Sequence, residues 1–253
     1  MFCTPLRQRK MKSLSVIIPA LNEERYIGDT LQWLQSAVLT WNTVQPDSSV
    51  EIVVVDNDST DRTAELARSY DAKVISEPVR NISRARNSGA RNAQGEAFLF
   101  LDADTKVPAD LLKRIAEELQ NDDCAGGAVA VQHLPASALL RIYVWCWKIF
   151  GRLLGMAQAA AQFSRRDMFE KLGGYDEGIY MGEDVDFFWR MKKDASRSGK
   201  TTSYIQDIRV VPSPRRWDQW PLWKTLIYTN PFFIAPLQRW KRAWHGWYKN
   251  VSR

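Results

Sequence analysis

Four short, β-rich apolar runs punctuate the first half of the chain, and each is followed by a segment with a different period. They are Leu14–Ile18 (LSVII), Val50–Val55 (VEIVVV), Lys73–Ser76 (KVIS) and Ala97–Leu101 (AFLFL). Continuous apolar runs of this length suit strands buried on both faces. Between them lie helical patterns: Glu24–Val38, with apolar residues at Tyr26, Ile27, Leu31, Leu34 and Val38, then Arg62–Tyr70 and Ser83–Ala93, with Pro108–Gln120 after the last run. Thr40–Ser49, with Pro46, Asp47 and two serines, reads as a loop. Asp58-Ser59-Thr60-Asp61 offers caps for the second helix. Strands alternating with helices predict a parallel, doubly wound α/β sheet. In such sheets, ligands bind beyond the carboxyl ends of the strands. That places a site at Pro19–Glu23, Asp56–Asp58 and Asp102–Asp104.

Beyond Gly126 the pattern changes. Ala128–Gln132 and Ser203–Val211 read as strands, and Asp184–Asp194 as a helix. Ala138–Met156 is apolar except for Arg141, Lys148 and Arg152, which lie within roughly 40° of one another on a helix. One narrow basic stripe suits a helix on a membrane surface. It equally suits a helix covering a core with one wet edge.

Charge is unevenly placed. The chain of 253 residues carries +6, yet residues 209–253 hold nine Lys/Arg against Asp218 alone. The other 208 residues hold 26 basic and 28 acidic groups. Six of the eleven tryptophans (217, 220, 223, 240, 244 and 247) also lie in that last stretch. Such a tail suits anionic lipid head groups or single-stranded nucleic acid; alternatively, the rings pack on the main domain. Cys3, Cys124 and Cys146 are scattered, which fits a reducing compartment. The basic N-terminus (MFCTPLRQRKMK) lacks a secretory apolar stretch, and no run of eighteen apolar residues occurs, so the cytoplasm is expected.

The chemistry-bearing residues are mostly acids. Asp102 and Asp104 flank Ala103 just after AFLFL. They are hard oxygen ligands for Mg²⁺ or Mn²⁺, which bind a few carboxylates together with substrate phosphates. Alone, such a pair reads as a solvated loop; its place at a strand end, with Asp56 at another, favours a site. Asp56 suits hydrogen bonding to a nucleobase or ribose. Glu183 and Asp184, at a helix start, are candidate general bases or helix caps. His133 and His245 make no metal-site pair. No G-x-S-x-G, P-loop or G-x-G-x-x-G is present, which removes common hydrolase, NTPase and dinucleotide readings.

Together, SVIIPALNEE (15–24), VVVDNDSTDRT (53–63), ARNSGARNAQGEAFLFLDADT (85–105), LGGYDE (172–177) and GEDVDFFWRM (182–191) resemble the family 2 glycosyltransferases, in the family's order, over roughly residues 13–195. The resemblance implies a GT-A (Rossmann-like) α/β fold with a mainly parallel central sheet flanked by helices. Taken with the charge pattern, it divides the chain into a basic arm (1–12), a GT-A domain (13–208, with a nucleotide-sugar half to 125 and an acceptor half after it) and the basic Trp-rich extension (209–253). It implies inverting, Mn²⁺- or Mg²⁺-assisted sugar transfer from a nucleotide-sugar. Pro19, Asn22 and Glu23 match the loop lining the nucleotide pocket, and Asp56 the carboxylate on base or ribose. Arg86 and Asn87 fall near the diphosphate, with Arg80 and Arg84 as other arginines in reach. Asp102, Ala103 and Asp104 match the metal-binding DxD, and Asp184 the catalytic base, with Glu183 beside it. Pro214-Arg215-Arg216-Trp217 resembles part of the Arg-Trp element of processive members, without its Gln-containing portion.

The acceptor is expected to be a hydroxyl or phosphate. Trp145, Trp147, Ile149 and Phe150 hint that it is lipid-linked or hydrophobic, with membrane-surface contact through 138–156 and 209–253. Two further readings compete. A sugar-1-phosphate nucleotidyltransferase would carry a Gly-rich basic loop where this chain has PALNEE. A nucleic-acid-binding protein would owe its affinity to the tail alone.

Overall fold

A computed structural model describes residues 10–135, 137–153, 160–215 and 221–244. Eight strands form one sheet in the order β3-β2-β1-β4-β7-β6-β8-β5. The parallel part comprises β1 (Ser13–Ala20), β2 (Ser49–Asp56), β3 (Lys73–Ser76) and β4 (Ala97–Leu101). β7 (Ala161–Arg165) runs antiparallel between β4 and β6 (Cys124–Val131) and joins the two halves. β8 (Thr201–Pro212) is parallel to β6 and antiparallel to the two-residue β5 (Thr105–Lys106).

Alternate residues of each central strand feed two cores, as the two-residue strand period requires. Leu14, Val16, Ile18, Leu99 and Leu101 face α1 (Ile27–Val44), α2 (Thr63–Ser69) and α4 (Leu111–Leu119). Ile17, Phe98 and Phe100 face α3 (Ile82–Asn92), α6 (Arg166–Lys171) and α7 (Glu183–Arg197). Both faces are covered, so β4 is apolar throughout and β1 is apolar from Val16 onward. Gly89 sits within α3 because a Cβ there would lie 2.4 Å from Ile17 Cγ2 and 2.9 Å from Val55 Cγ2. The glycine lets this helix settle directly on the sheet.

The structure corrects several boundaries. Residues 40–44 are helical rather than loop: Trp41 is fully buried and extends the apolar stripe of α1, while Thr40 and Thr43 donate to the Ser36 and Leu39 carbonyls. β6 starts four residues early, behind Gly126-Gly127, which carries no strand signal. β7 went unrecognised because Gln162 and Ser164 are polar, yet both are fully buried. α2 starts at Thr63 rather than Arg62, and of the four cap candidates Asp61 accepts from Thr63 N and Oγ1. β8 runs from Thr201 to Pro212, so positions 208 and 209 both lie within it.

α5 (Ala138–Leu153) follows β6, and α8 (Leu222–Tyr228) and α9 (Pro231–Leu237) close the described chain. Thr229, just past the end of α8, meets α5: its Oγ1 lies 2.9 Å from Tyr143 Oη. Trp223 and Trp240 are exposed, whereas Trp244 is buried and donates Nε1–H to the Leu237 carbonyl. Trp217, Trp220, Trp247, His245, Cys3 and residues 1–9 of the basic arm lie outside the described residues. Among the described residues, no helix is long and apolar enough to cross a membrane.

Candidate active site

The register of β1 on β2 brings Pro19 opposite Val55 and Ala20 opposite Asp56, so the loops leaving both strands emerge side by side. They are laced together. Asn57 N–H donates to the Ala20 carbonyl (2.8 Å), Asn22 N–H to Ser59 Oγ (3.0 Å) and Thr60 N–H to Asn22 Oδ1 (2.8 Å). Asn22 adopts a left-handed conformation (φ 55°), for which asparagine is suited. Asp56 accepts Ser59 N–H on Oδ1 at 3.1 Å. Pro19, Asn22 and Asp56 thus share one rigid rim.

The acids beyond β4 are held by two buried arginines. Arg86 projects from α3 with its side chain 2 % exposed. Its Nη1 lies 2.5 Å from Glu183 Oε1 and its Nη2 3.1 Å from Asp102 Oδ1. One guanidinium therefore ties the DxD turn to the start of α7. Burial opposes the Arg86 charge, but Glu183, with Tyr175, Asp102 and Asp184 behind it, outweighs that and holds its pKa above the ordinary value. The Tyr175 ring lies beneath, 5.1 Å from the guanidinium carbon. Burial pushes the Tyr175 phenol far above its usual range despite Arg86, so it stays neutral and donates to Gln162 Oε1 at 2.7 Å. Gln162 Nε2 in turn donates to the Asp184 carbonyl (3.2 Å). Gly182, at φ 78°, makes the turn that sets Glu183 and Asp184 at the first positions of α7. Asp184 Oδ1 accepts Val185 N–H at 2.9 Å.

Arg215 forms the second brace. β8 ends against β5, Ser213 N–H donates to the Asp104 carbonyl (2.9 Å), and Arg215 is thereby carried into the site. It forks onto both Glu23 oxygens (2.6 and 2.8 Å), and Nη2 also lies 2.8 Å from Asp104 Oδ2. Its guanidinium carbon stacks 4.5 Å from the Tyr26 ring centre. Burial works against this charge too, but the Glu23 hydrogen bonds and Asp104 raise its pKa on balance. Reading the sequence alone missed Arg215 as a site residue; the Pro-Arg-Arg-Trp stretch was the only available signal.

Other candidates fall elsewhere. Asn87 is buried and turned from the acids: its amide exchanges hydrogen bonds with the Tyr175 backbone (both 2.9 Å) and donates to Glu177. Arg80 is held by Asp58 and Arg84 by Glu177 and Glu77, so Arg86 alone of the three meets the DxD. Ala103 is buried, and its carbonyl accepts from Thr30 Oγ1.

The chain brings together Glu23, Asp102, Asp104, Glu183 and Asp184, five carboxyl groups against two guanidiniums. This donor set of hard oxygens fits Mg²⁺ or Mn²⁺. Among the described residues, no three His, Cys, Asp or Glu converge on one metal position. The family model for glycosyl transferase family 2 matches residues 15–153.

The chain belongs to that family.

Its relatives include a probable glycosyltransferase, YdaM, of Bacillus subtilis, 27 % identical over 243 residues, covering 85 % of this chain and 53 % of the relative. A beta-monoglucosyldiacylglycerol synthase of Nostoc is 28 % identical over 211 residues, covering 74 % and 42 %. This family 2 chain therefore spans about half the length of the curated relatives it matches. Its fold matches glucosyl-3-phosphoglycerate synthase from Mycobacterium tuberculosis, solved with Mn²⁺, UDP and glucosyl-3-phosphoglycerate. The TM-score is 0.59 at 20 % identity, covering 90 % of this chain and 80 % of that one. Such a match establishes the GT-A architecture.

Proposed function

We propose that this chain transfers a sugar from a nucleoside-diphosphate sugar to an acceptor hydroxyl or phosphate, with inversion and with a divalent cation. The carrying observation is the bridge Asp102–Arg86–Glu183, which joins the DxD turn to the acids that open α7 in a family 2 chain. In this reading Pro19, Asn22, Glu23 and Asp56 form the wall for the nucleoside. Asp102 and Asp104 would hold Mn²⁺ or Mg²⁺, which would supply positive charge against the diphosphate and its leaving oxygen. The excess of carboxyl groups over guanidiniums around this turn supports a cation as the partner of a diphosphate.

Arg86 and Arg215 keep the carboxylates apart and aimed. Both terminal nitrogens of Arg86 are spent on Glu183 and Asp102, so it acts as a positioning residue. Asp184, at the mouth of α7, takes the acceptor proton as the oxygen attacks the anomeric carbon from the face opposite the diphosphate. One bond forms as one breaks, which inverts the centre. A lipid-linked or hydrophobic acceptor is supported by the exposed apolar side of α5 and by a relative named for a glycosyldiacylglycerol.

The test is a panel of nucleotide-sugars scored by thermal shift and donor hydrolysis, with Mn²⁺, Mg²⁺ or EDTA. A cognate donor raises the melting temperature in proportion to its affinity, and EDTA erases the rise. Asp184→Asn should lower transfer by roughly 10²–10⁴-fold while the donor shift persists. A lost shift would move Asp184 into the binding pocket, and a cation-independent shift would remove the metal from this account.

A further inference from the structure

α5 presents its apolar side to solvent rather than to the core. Leu139, Ile142, Trp145, Cys146 and Ile149 are all exposed, with Leu139, Ile142 and Trp145 at 67, 60 and 61 %. At about 100° per residue these five fall within roughly 120° of arc, and Arg141 and Lys148 lie at one edge of it. The opposite side carries the buried Leu140. α8, which leads into the Thr229 contact with α5, likewise exposes Trp223 (62 %), Leu226 and Ile227, and Trp240 is exposed further on. An apolar surface of this extent calls for a partner.

Charge identifies the partner. No Asp or Glu occurs from residue 124 to residue 166, and after Asp207 the only acid is Asp218. The basic residues Arg141, Lys148, Lys224, Lys241 and Arg242 belong to these same segments. Two copies of the chain meeting face to face would oppose like charges. An anionic bilayer instead accepts apolar side chains and tryptophan rings below its head groups and lysine and arginine at their level.

We infer that α5 and α8 form a membrane-surface anchor that lies flat in the head-group layer of an anionic bilayer without crossing it. The inference goes beyond sugar transfer and does not depend on the donor. The exposed residues named here are not part of the nucleotide site, so nucleotide thermal shifts report on that site separately.

The full chain should co-float with phosphatidylcholine vesicles containing phosphatidylglycerol, and less with phosphatidylcholine alone or in high salt. Leu139→Glu/Ile142→Glu should weaken binding by roughly ten-fold or more, since each buried aliphatic side chain contributes more than a decade. Trp223→Glu should weaken it independently. All three positions are exposed, so melting temperatures and UDP–Mn²⁺ thermal shifts should match wild type. Equal flotation of the variants, or no flotation of the wild type on anionic vesicles, would overturn the inference. So would concentration-dependent self-association abolished by the same substitutions, which would make the face a contact between copies.

Discussion

Arg86 and Arg215 each bury a guanidinium against the aspartates that follow β4, but they belong to different regions of the molecule. Arg86 stands on α3, inside the parallel half, sixteen residues from Asp102, and its helix is pressed onto the sheet at Gly89. Arg215 arrives from beyond the end of β8, 192 residues from Glu23, and depends on the short β5–β8 pairing and one backbone bond to Asp104. Each thus completes the same acidic turn from one side. The parallel half supplies a rigid floor. The mixed half supplies a brace that can yield, because its anchor is a strand end rather than a core helix.

This difference predicts unequal costs. Arg86→Met removes the paired guanidinium from two carboxylates, one of them Glu183 at 8 % exposure. Stranding a buried charge costs about 3–5 kcal/mol, so the melting temperature should fall steeply. Arg86→Met/Glu183→Gln should regain much of the loss, since it removes the stranded partner. Urea unfolding of both variants would check this, and additive losses would show that the bridge is energetically idle. Arg86→Lys should rescue only partly, because an ammonium cannot fork between two acids.

Arg215→Met tests the yielding side. Glu23 is as buried as Glu183, so the starting penalty is similar, but displacement of the strand end lets water reach Glu23. The expected loss is at the low end, about 3 kcal/mol or less. The distinguishing readout is the Mn²⁺ dependence of UDP thermal shifts: removing a cation from Asp104 should change it, whereas loss of a purely structural residue would leave it unmoved. A destabilisation larger than that of Arg86→Met would reverse the comparison.

The two regions also differ in how legible they are. In the parallel half, buried strands carry apolar runs such as Val16–Ile18, Val53–Val55 and Ala97–Leu101, and α1 carries a clear 3.6-residue stripe, so these elements could be read directly. Asp56, Asp102 and Asp104 stood out because a strand end followed by acid is a local pattern. In the mixed half, the decisive elements break propensity rules. β7 hides behind Gln162 and Ser164, and the Gln162 amide finds its partners at distant positions, Tyr175 and Asp184. Gly126-Gly127 masks the start of β6. The role of Asn87, which ties α3 to the Tyr175 backbone, and that of Arg215 are made wholly by long-range contacts, which no local window contains. On α5 the periodicity was visible, but which side faces water was not, since an apolar stripe reads alike whether it covers a core or meets a lipid.

The smallest predicted effect lies where the chain's last described segment docks beside the site. Arg239 pairs with Asp176, the Tyr180 N–H donates to the Gln238 carbonyl (2.8 Å), and a Cβ on Gly182 would lie 3.4 Å from Ile234 Cγ2. Burial works to raise the Asp176 pKa, but the Gly178 N–H and Arg239 prevail and hold it below the ordinary carboxylate value. A carboxylate depressed in the folded state stabilises it at any pH above the unfolded value, and that contribution is lost as pH falls through the folded one. Asp176→Asn should therefore be less stable than wild type at neutral pH, by less than about 1 kcal/mol because the pair is partly exposed and screened. The gap should hold down to roughly pH 5 and close below about pH 4, where the unfolded carboxylate begins to keep its proton. Paired melting curves across that range would measure it. A gap that persists at low pH would mean that the segment is held by packing of the Gly182–Ile234 kind, and that the mixed half is stiffer than its Arg215 brace suggests.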